Sequence, residues 1–290
     1  MKRLLVIILA LIVVSCGSEK KSNADKEKPV VTVSILPQKT FIEKIAGNDF
    51  KVNVLIPPGA SPAAYTLLPS QLIDIANSVA WFRIGYIGFE YSWKEKISQV
   101  NTKMEVYDLS EGLDLVAGKK EIHGDHVHLR GVDPHIWMSP MMVKEMAKKI
   151  RNILSEINPE GADKYMNGYN NFIKEIDELQ VDLKSMFQGM DGKTIIVFHP
   201  SLTYFAREYG LNQVSLESGG KEPTPQHIKE VVDLAIEQNL RIIYIQSEFD
   251  REHARIFAEE INGEIIQVSP LNPNWSENLL EMASIMKDNF

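Results

Sequence analysis

Histidine is the residue type whose spacing in this sequence most clearly suggests chemistry. The chain contains 7 histidines and a single cysteine. His123, His126 and His128 are followed closely by His135, and His199 comes directly after a short apolar run. Neutral imidazole nitrogen is the commonest protein ligand of zinc. We therefore expect a divalent metal site, preferably for Zn²⁺, built from His135, His199 and the histidine cluster.

Other classes of function have weaker support. The sequence contains no G-x-S-x-G nucleophile elbow, no phosphate-binding glycine-rich loop and no H-E-x-x-H motif, so we do not expect an enzyme. The formal net charge of −8 argues against nucleic acid as a partner, and it is compatible with a cationic cargo. A hydrolase that uses a metal with an open coordination position stays as an alternative.

The amino terminus has the order of a bacterial lipoprotein signal. Lys2 and Arg3 precede an apolar run over residues 4–14, which is shorter than the roughly 20 residues that span a bilayer. Ser15 and Cys16 follow this run. We expect residues 1–15 to be a signal peptide and residues 16–28 a flexible tether lipidated at Cys16, which places the protein outside the cytoplasm on a membrane anchor. The alternatives are an ordinary signal peptide with an incidental cysteine and a short uncleaved anchor.

Strand-like and helix-like segments alternate along the rest of the chain, which predicts an α/β fold with mostly parallel sheets. The first strand is predicted over residues 30–36 and ended by Pro37. We expect an amino-terminal α/β lobe over residues 29–158, with a histidine-containing loop at 112–132, and a carboxy-terminal α/β lobe over residues 190–290. An apolar stripe at steps of three and four residues predicts a long linking helix over residues 159–189.

Ligands of parallel α/β sheets bind at the carboxyl ends of the strands, so the two lobes predict a cleft between facing strand ends. His199 directly follows a predicted strand, and His135 directly precedes a predicted helix. Glu217 and Glu248 also lie just past predicted strands. We expect His135 and His199 to share one metal from opposite lobes.

Almost the whole chain beyond the tether resembles the metal-binding substrate-binding proteins of ABC transporters, most closely the zinc members. The resemblance rests on several short motifs that occur in the same order as in that family. The motifs are Ser34-Ile35-Leu36-Pro37, Ile56-Pro57-Pro58-Gly59, Asp133-Pro134-His135-Ile136-Trp137, Val197-Phe198-His199-Pro200, Tyr209-Gly210-Leu211, Glu222-Pro223 and Pro270-Leu271 with Trp275.

The resemblance implies two βα lobes joined by a stiff backbone helix, a metal in the cleft and little hinge closure. It also implies delivery of the metal to an ABC transporter permease, and we expect a monomer. A histidine at position 199 is typical of zinc members, whereas manganese members tend to carry glutamate there, so Zn²⁺ is expected before Mn²⁺. A histidine-rich loop such as that of His123, His126 and His128 is another feature of zinc members.

Two positions depart from the family pattern. Ala63 stands where the first histidine ligand is expected, and Ser269 where an aspartate often provides the fourth. Zinc usually takes four donors, or three and a water, so another group must complete the site. The loop histidines are one candidate, and the carboxylates of Glu248 or Glu217 are the other. The two departures also keep open a surface adhesin or interaction lipoprotein with a degenerate metal site on the same scaffold.

Overall fold

The computed structural model of the protein describes residues 27–117, 119–123, 126–217 and 223–290, with residues 119–123 and 126–130 as backbone only. The predicted signal peptide, Cys16 and most of the predicted tether lie outside the described residues. Within the described part of the chain, no helix is both long enough and apolar enough to cross a membrane.

The amino-terminal lobe is built on a 4-stranded parallel sheet. Its strands are β1 (Val30–Val33), β2 (Lys51–Val54), β3 (Ser78–Arg83) and β4 (Glu105–Asp108), and the crossover helices are α1 (Leu36–Ala46), α2 (Pro69–Ala76) and α3 (Gly88–Val100). The strand order is β2-β1-β3-β4. Val31, Thr32 and Val33 of the central strand β1 are all fully buried, as expected for a parallel strand covered on both faces.

The transition from β1 to α1 differs from the prediction. Pro37 does not end a strand; β1 ends at Val33, and Pro37 lies in the first turn of α1. Proline suits this turn because its missing N–H has no helical acceptor there. The side chain of Gln38 accepts hydrogen bonds from the N–H groups of Ser34 and Ile35, both at 3.0 Å, and fixes the helix start.

The predicted loop at 112–132 contains an antiparallel hairpin of β5 (Lys119–His123) and β6 (His126–Arg130). Its backbone register places His123 opposite His126, and Glu121 opposite His128. The strands were not predicted because the segment is rich in charge and histidine. The alternation of Val127 and Leu129 with His126, His128 and Arg130 is the signal that could have indicated β6.

Two long helices follow the hairpin. They are α4 (Pro140–Ile157) and α5 (Ala162–Met186), separated by a 3₁₀ turn over Pro159–Gly161. The Ser139 hydroxyl caps α4 by accepting from the Met142 N–H. The 25 residues of α5 span roughly 37 Å at 1.5 Å per residue, and the predicted apolar stripe is its buried face. Gly168 lets α1 approach closely, because a Cβ there would lie 2.1 Å from the Ile45 carbonyl oxygen.

The carboxy-terminal lobe repeats the parallel arrangement. Its strands are β7 (Thr194–Val197), β8 (Asn212–Ser215), β9 (Ile242–Gln246) and β10 (Glu264–Val268), and its helices are α6 (Thr203–Glu208), α7 (Pro225–Glu237), α8 (Glu252–Glu260) and α9 (Trp275–Asp288). The 4-stranded sheet has the order β10-β9-β7-β8. The fold is therefore the predicted pair of parallel-sheet βα lobes with a long helix between them.

The lobes are also joined by packing at the start of α9. The Trp275 indole lies edge-on to Phe41 of α1 with ring centroids 5.3 Å apart, and its Nε1 donates to the Trp137 carbonyl oxygen at 2.7 Å. Trp137 Nε1 in turn donates to the Pro270 carbonyl oxygen at 2.9 Å. These buried contacts link the two sides of the cleft.

Candidate metal site between the lobes

His199 lies just past the carboxyl end of β7. The buried side chain of Gln246, at the end of β9, contacts its backbone on both sides. Gln246 Nε2 donates to the His199 carbonyl oxygen at 2.8 Å and to Ser201 Oγ at 2.6 Å, and Gln246 Oε1 accepts from the His199 N–H at 3.3 Å. The backbone that carries this imidazole is therefore fixed to a central strand of the sheet.

The imidazole of His199 is oriented by a carboxylate. Its Nδ1 lies 2.5 Å from Oε2 of Glu217, a residue that follows β8 and is 9% exposed. The Glu217 backbone N–H donates to the Phe198 carbonyl oxygen at 2.9 Å, which holds it beside the histidine. A ring hydrogen-bonded at Nδ1 presents Nε2 to a ligand.

His135 has the same arrangement in the facing lobe. Its Nδ1 lies 2.8 Å from Asp133 Oδ1, and its backbone N–H donates to the same oxygen at 2.9 Å. The Asp133 carbonyl oxygen accepts from the hydroxyl of Tyr204, on α6 of the carboxy-terminal lobe, at 2.7 Å. The segment that carries His135 is thus anchored from across the cleft.

The environment of Asp133 keeps its carboxylate ionised. Burial alone would raise the pKa of this group, but the hydrogen bonds and charge of His135, with a further hydrogen bond from Thr203, outweigh burial and lower the pKa below its usual range. A carboxylate behind a histidine fixes the tautomer of the ring and raises the basicity of its other nitrogen.

The two imidazoles meet in the cleft from opposite lobes. Their ring centroids are 5.2 Å apart with an angle of 76° between the ring planes. His135 also lies 5.2 Å from the ring of Trp137, and His199 lies 5.5 Å from the ring of Phe249. Chemically, the site offers two oriented nitrogen donors inside a partly aromatic wall.

A cavity of about 420 Å³ opens around these imidazoles. Its walls include Pro62, Ala63, Ile87, Gly88 and Leu271, which are apolar or small. Ala63 and Gly88 pack closely, because a Cβ on Gly88 would lie 2.7 Å from the Ala63 carbonyl oxygen. The side of the cleft where the resemblance leads us to expect a first histidine ligand is therefore lined by Ala63 and Gly88, whose side chains are small or absent.

Glu248 lines this cavity as a second carboxylate, in addition to Asp133. It follows β9, and it also borders a neighbouring cavity of about 230 Å³ that Ser269 lines. Burial raises the pKa of Glu248, against the opposing effects of its own backbone N–H, the Ser247 hydroxyl and the charge of His199. Ser247 Oγ lies 3.1 Å from Glu248 Oε1.

The structure brings some of the predicted site residues together. His135 and His199 converge, Glu248 borders their cavity, and Glu217 contacts the Nδ1 side of His199. The side chains of His123, His126 and His128 lie outside the described residues, as does Cys16. Among the side chains that the structure describes, no group of three or more His, Cys, Asp or Glu is arranged to hold a metal ion.

Sequence reasoning did not identify the residues that position the two histidines. Asp133 precedes His135 by two residues, a spacing that could have indicated a carboxylate-oriented ligand. The roles of Gln246 and Tyr204 could not be predicted from the sequence, because each acts through a contact with a residue distant in the chain.

The buried carboxylate of Glu90 stabilises the cavity wall although it does not line the cavity. Glu90 lies in the first turn of α3 and is fully buried. Its Oε1 accepts a hydrogen bond from the Ile84 N–H and its Oε2 accepts one from the Gly85 N–H, both at 2.7 Å. The Ser34 hydroxyl also donates to this carboxylate. Burial raises its pKa to about 7, although these hydrogen bonds and the charge of Arg83 oppose the shift. Glu90 thus ties the end of β3 to the helix whose first residue, Gly88, lines the cavity.

Comparison with known proteins agrees with this architecture. The high-affinity zinc uptake system protein ZnuA of Bacillus subtilis (strain 168) is 26% identical over 293 residues, which cover 96% of this chain and 92% of that protein. The manganese-binding lipoprotein MntA of Halalkalibacterium halodurans is 24% identical over 249 residues, covering 83% and 79% of the two chains. A crystal structure of ZnuA superposes with a TM-score of 0.83 at 34% identity, covering 91% of this chain and 99% of that one.

The family described as "ZnuA: Zinc-uptake complex component A periplasmic" matches residues 31–290. That range includes both lobes, the linking helix and both convergent histidines. The family consists of metal-binding solute-binding proteins of transporters and not of enzymes. The match confirms the resemblance found in the sequence, and the chain belongs to the ZnuA family.

Proposed function

We propose that this protein captures a divalent metal outside the cytoplasm, Zn²⁺ in preference to Mn²⁺, and delivers it to the permease of an ABC importer. The observation that carries the proposal is the pair of imidazoles 5.2 Å apart, contributed by opposite lobes and each backed by a carboxylate at Nδ1. Two nitrogen donors favour zinc, whereas an oxygen-rich site would favour manganese.

In this proposal, Nε2 of His135 and Nε2 of His199 bind the metal, and Asp133 and Glu217 orient the two rings. Glu248 is the proposed carboxylate ligand, because it borders the same cavity. The hairpin histidines His123, His126 and His128 are proposed as further ligands that collect the metal and bring it to the cleft. Their strands lead through Gly131 directly to Asp133 and His135.

The proposed location and partner rest on family membership and on the amino-terminal sequence. The Bacillus subtilis relative is named as part of a zinc uptake system, and the Halalkalibacterium halodurans relative as a lipoprotein. We propose that this chain likewise acts as a monomer, anchored through a lipid on Cys16, beside its permease.

A zinc titration tests the site. The purified full chain should bind zinc with a 1:1 stoichiometry by calorimetry and should melt at a higher temperature when zinc is present. At a hundredfold excess of zinc over the dissociation constant, the added stability is about 2.7 kcal/mol. His199→Ala should remove this gain, whereas His253→Ala, an exposed histidine of the same lobe, should keep it.

The same titration separates the alternatives. If zinc stabilises His199→Ala as much as the wild type, His199 is not a ligand and the proposed site is wrong. Absence of zinc and manganese binding in the wild type would favour the interaction lipoprotein, and zinc-dependent hydrolysis of model esters would favour the hydrolase.

A further inference from the structure

Building on the proposed function, we propose that the cargo of this cleft is a metal chelate: a divalent ion that carries a small amino-acid-type ligand. The amino nitrogen and the carboxylate oxygen of that ligand would occupy coordination positions beside the two imidazoles. Its side chain would fill the apolar part of the cavity.

The donor arrangement is the first step. His135 and His199 each use Nδ1 on a carboxylate, so each offers one nitrogen to a metal. Zinc in proteins usually takes four donors, and two imidazoles supply half of them. A bidentate ligand with one nitrogen and one oxygen would complete a four-coordinate set from the cargo side, and it would take the position that Glu248 is proposed to hold when zinc binds alone.

The size of the cavity is the second step. Its volume of about 420 Å³ lies within the roughly 300–1,000 Å³ of pockets that bind small organic molecules. A metal-bound water needs only about 30 Å³. The space beside the imidazoles therefore suits an organic ligand and greatly exceeds what one ion with a water requires.

The chemical character of the wall is the third step. Pro62, Ile87, Phe249 and Leu271 form an apolar part of the wall, beside the two histidines and the carboxylates of Asp133 and Glu248. These apolar side chains provide no donor atom for a metal ion, but they favour an apolar side chain that is transferred from water. An amino-acid ligand with an aromatic or aliphatic side chain matches both the donors and the wall.

Ala63 provides the space for this ligand. It lines the cavity at the position where the family pattern places a histidine. A histidine at this position would supply a third protein nitrogen and would occupy volume that an organic ligand needs. The alanine leaves that volume open.

Two amino acids with the same donor atoms provide the test. L-phenylalanine and glycine both chelate zinc through an amino nitrogen and a carboxylate, and they differ in the aromatic side chain. Calorimetry measures the zinc affinity of the full chain under three conditions: without amino acid, with millimolar L-phenylalanine and with millimolar glycine. We expect L-phenylalanine to tighten apparent zinc binding by about tenfold or more relative to glycine, as burial of an aromatic side chain predicts. Native mass spectrometry should detect protein, zinc and phenylalanine at 1:1:1.

A pair of neighbouring substitutions tests the role of Ala63. Ala63→His should tighten binding of zinc alone and remove the effect of L-phenylalanine, because a protein nitrogen replaces the donor of the cargo. Ala64→His places the same side chain on the adjacent exposed residue, and it should retain the wild-type response.

The sign of the amino-acid effect decides the proposal. A free amino acid that forms no ternary complex competes for zinc, so a weakening of apparent affinity by both amino acids would overturn the chelate. In that case, a loss of zinc affinity in the His123/His126/His128 triple-alanine variant would assign the missing donors to the hairpin. An affinity for L-phenylalanine that is the same with and without zinc would also overturn the proposed chelate. Zinc binding that fails under every condition would instead contradict the proposed function.

Discussion

At the scale of single residues, the site depends on what lies behind each histidine. Asp133 and Glu217 contact Nδ1 of His135 and His199 at 2.8 Å and 2.5 Å. Because each carboxylate fixes the orientation of one ring, the rings do not need to reorient before both Nε2 atoms can bind a metal. Such partners typically change metal affinity by about 10–100-fold when they are removed.

Asp133→Asn tests this orienting role. The asparagine oxygen can still accept from the ring and the backbone of His135, but the negative charge beside the imidazole is lost. We expect zinc affinity to fall by about tenfold or more, as measured by competition with a fluorescent zinc chelator. Asp114→Asn is the matched control, because Asp114 is 95% exposed and pairs with Arg207. An affinity equal to that of the wild type would show that the charge of Asp133 has no role in metal binding.

At the scale of elements, the strand ends are tied to the helices that follow them. Glu90 is the clearest case, since one carboxylate at the start of α3 accepts from two backbone N–H groups at the end of β3 and from the Ser34 hydroxyl after β1. Burial opposes its ionisation and raises its pKa to about 7. The wall of the cavity formed by Ile87 and Gly88 therefore depends on a group that titrates near neutral pH.

The titration of Glu90 predicts a pH dependence of stability. The folded chain holds the proton up to about pH 7, whereas the unfolded chain releases it near the ordinary value of 4.5. The contribution of Glu90 to the free energy of unfolding is therefore fully present below pH 4.5, and it is lost as the pH rises to about 7. The total loss is on the order of 3 kcal/mol.

Glu90→Gln, which cannot ionise, should lack this decline. The measurement is urea unfolding of metal-free protein at several pH values between 4.5 and 8. Glu105→Gln, an exposed carboxylate of the same lobe, should retain the decline of the wild type. If the Glu90→Gln and wild-type curves run parallel over this range, Glu90 does not change its charge there.

At the scale of the whole molecule, the two lobes are packed as one unit around the cleft. Helix α5 contacts both α1 and α9. The Trp137 indole donates a hydrogen bond to the Pro270 carbonyl oxygen, and the Trp275 indole donates one to the Trp137 carbonyl oxygen. These buried contacts favour a cleft of nearly fixed width. Metal capture then depends on side chains that are already in place, as the resemblance to solute-binding proteins with little hinge closure implied.

The proposed anchoring belongs to this scale as well. Replacing Cys16 with serine removes the thiol that would carry the lipid, and we expect the protein to move from the membrane fraction to the soluble extracytoplasmic fraction. Cell fractionation followed by immunoblotting measures the change, with Ser18→Ala as the control. Unchanged membrane association of the Cys16→Ser variant would contradict the lipoprotein signal.

The sequence by itself determined the order of the elements and the class of the fold. Apolar periodicity, glycine and proline are local signals, so strands and helices alternate as predicted, and α5 lies within the linking helix predicted over residues 159–189. His135 and His199 were also identifiable, since each lies at the end of a predicted element. Pro37 was misinterpreted because proline is equally compatible with the end of a strand and the first turn of a helix.

Only the tertiary structure decided how the site is assembled. Glu217 and Glu248 both follow predicted strands and were equivalent as candidate ligands, yet one contacts Nδ1 of His199 and the other borders the cavity. Gln246 and Tyr204 reach residues 47 and 71 positions away in the chain. Such contacts depend on which strands are neighbours in a sheet and on how the lobes face each other, and no local pattern of residues encodes either arrangement.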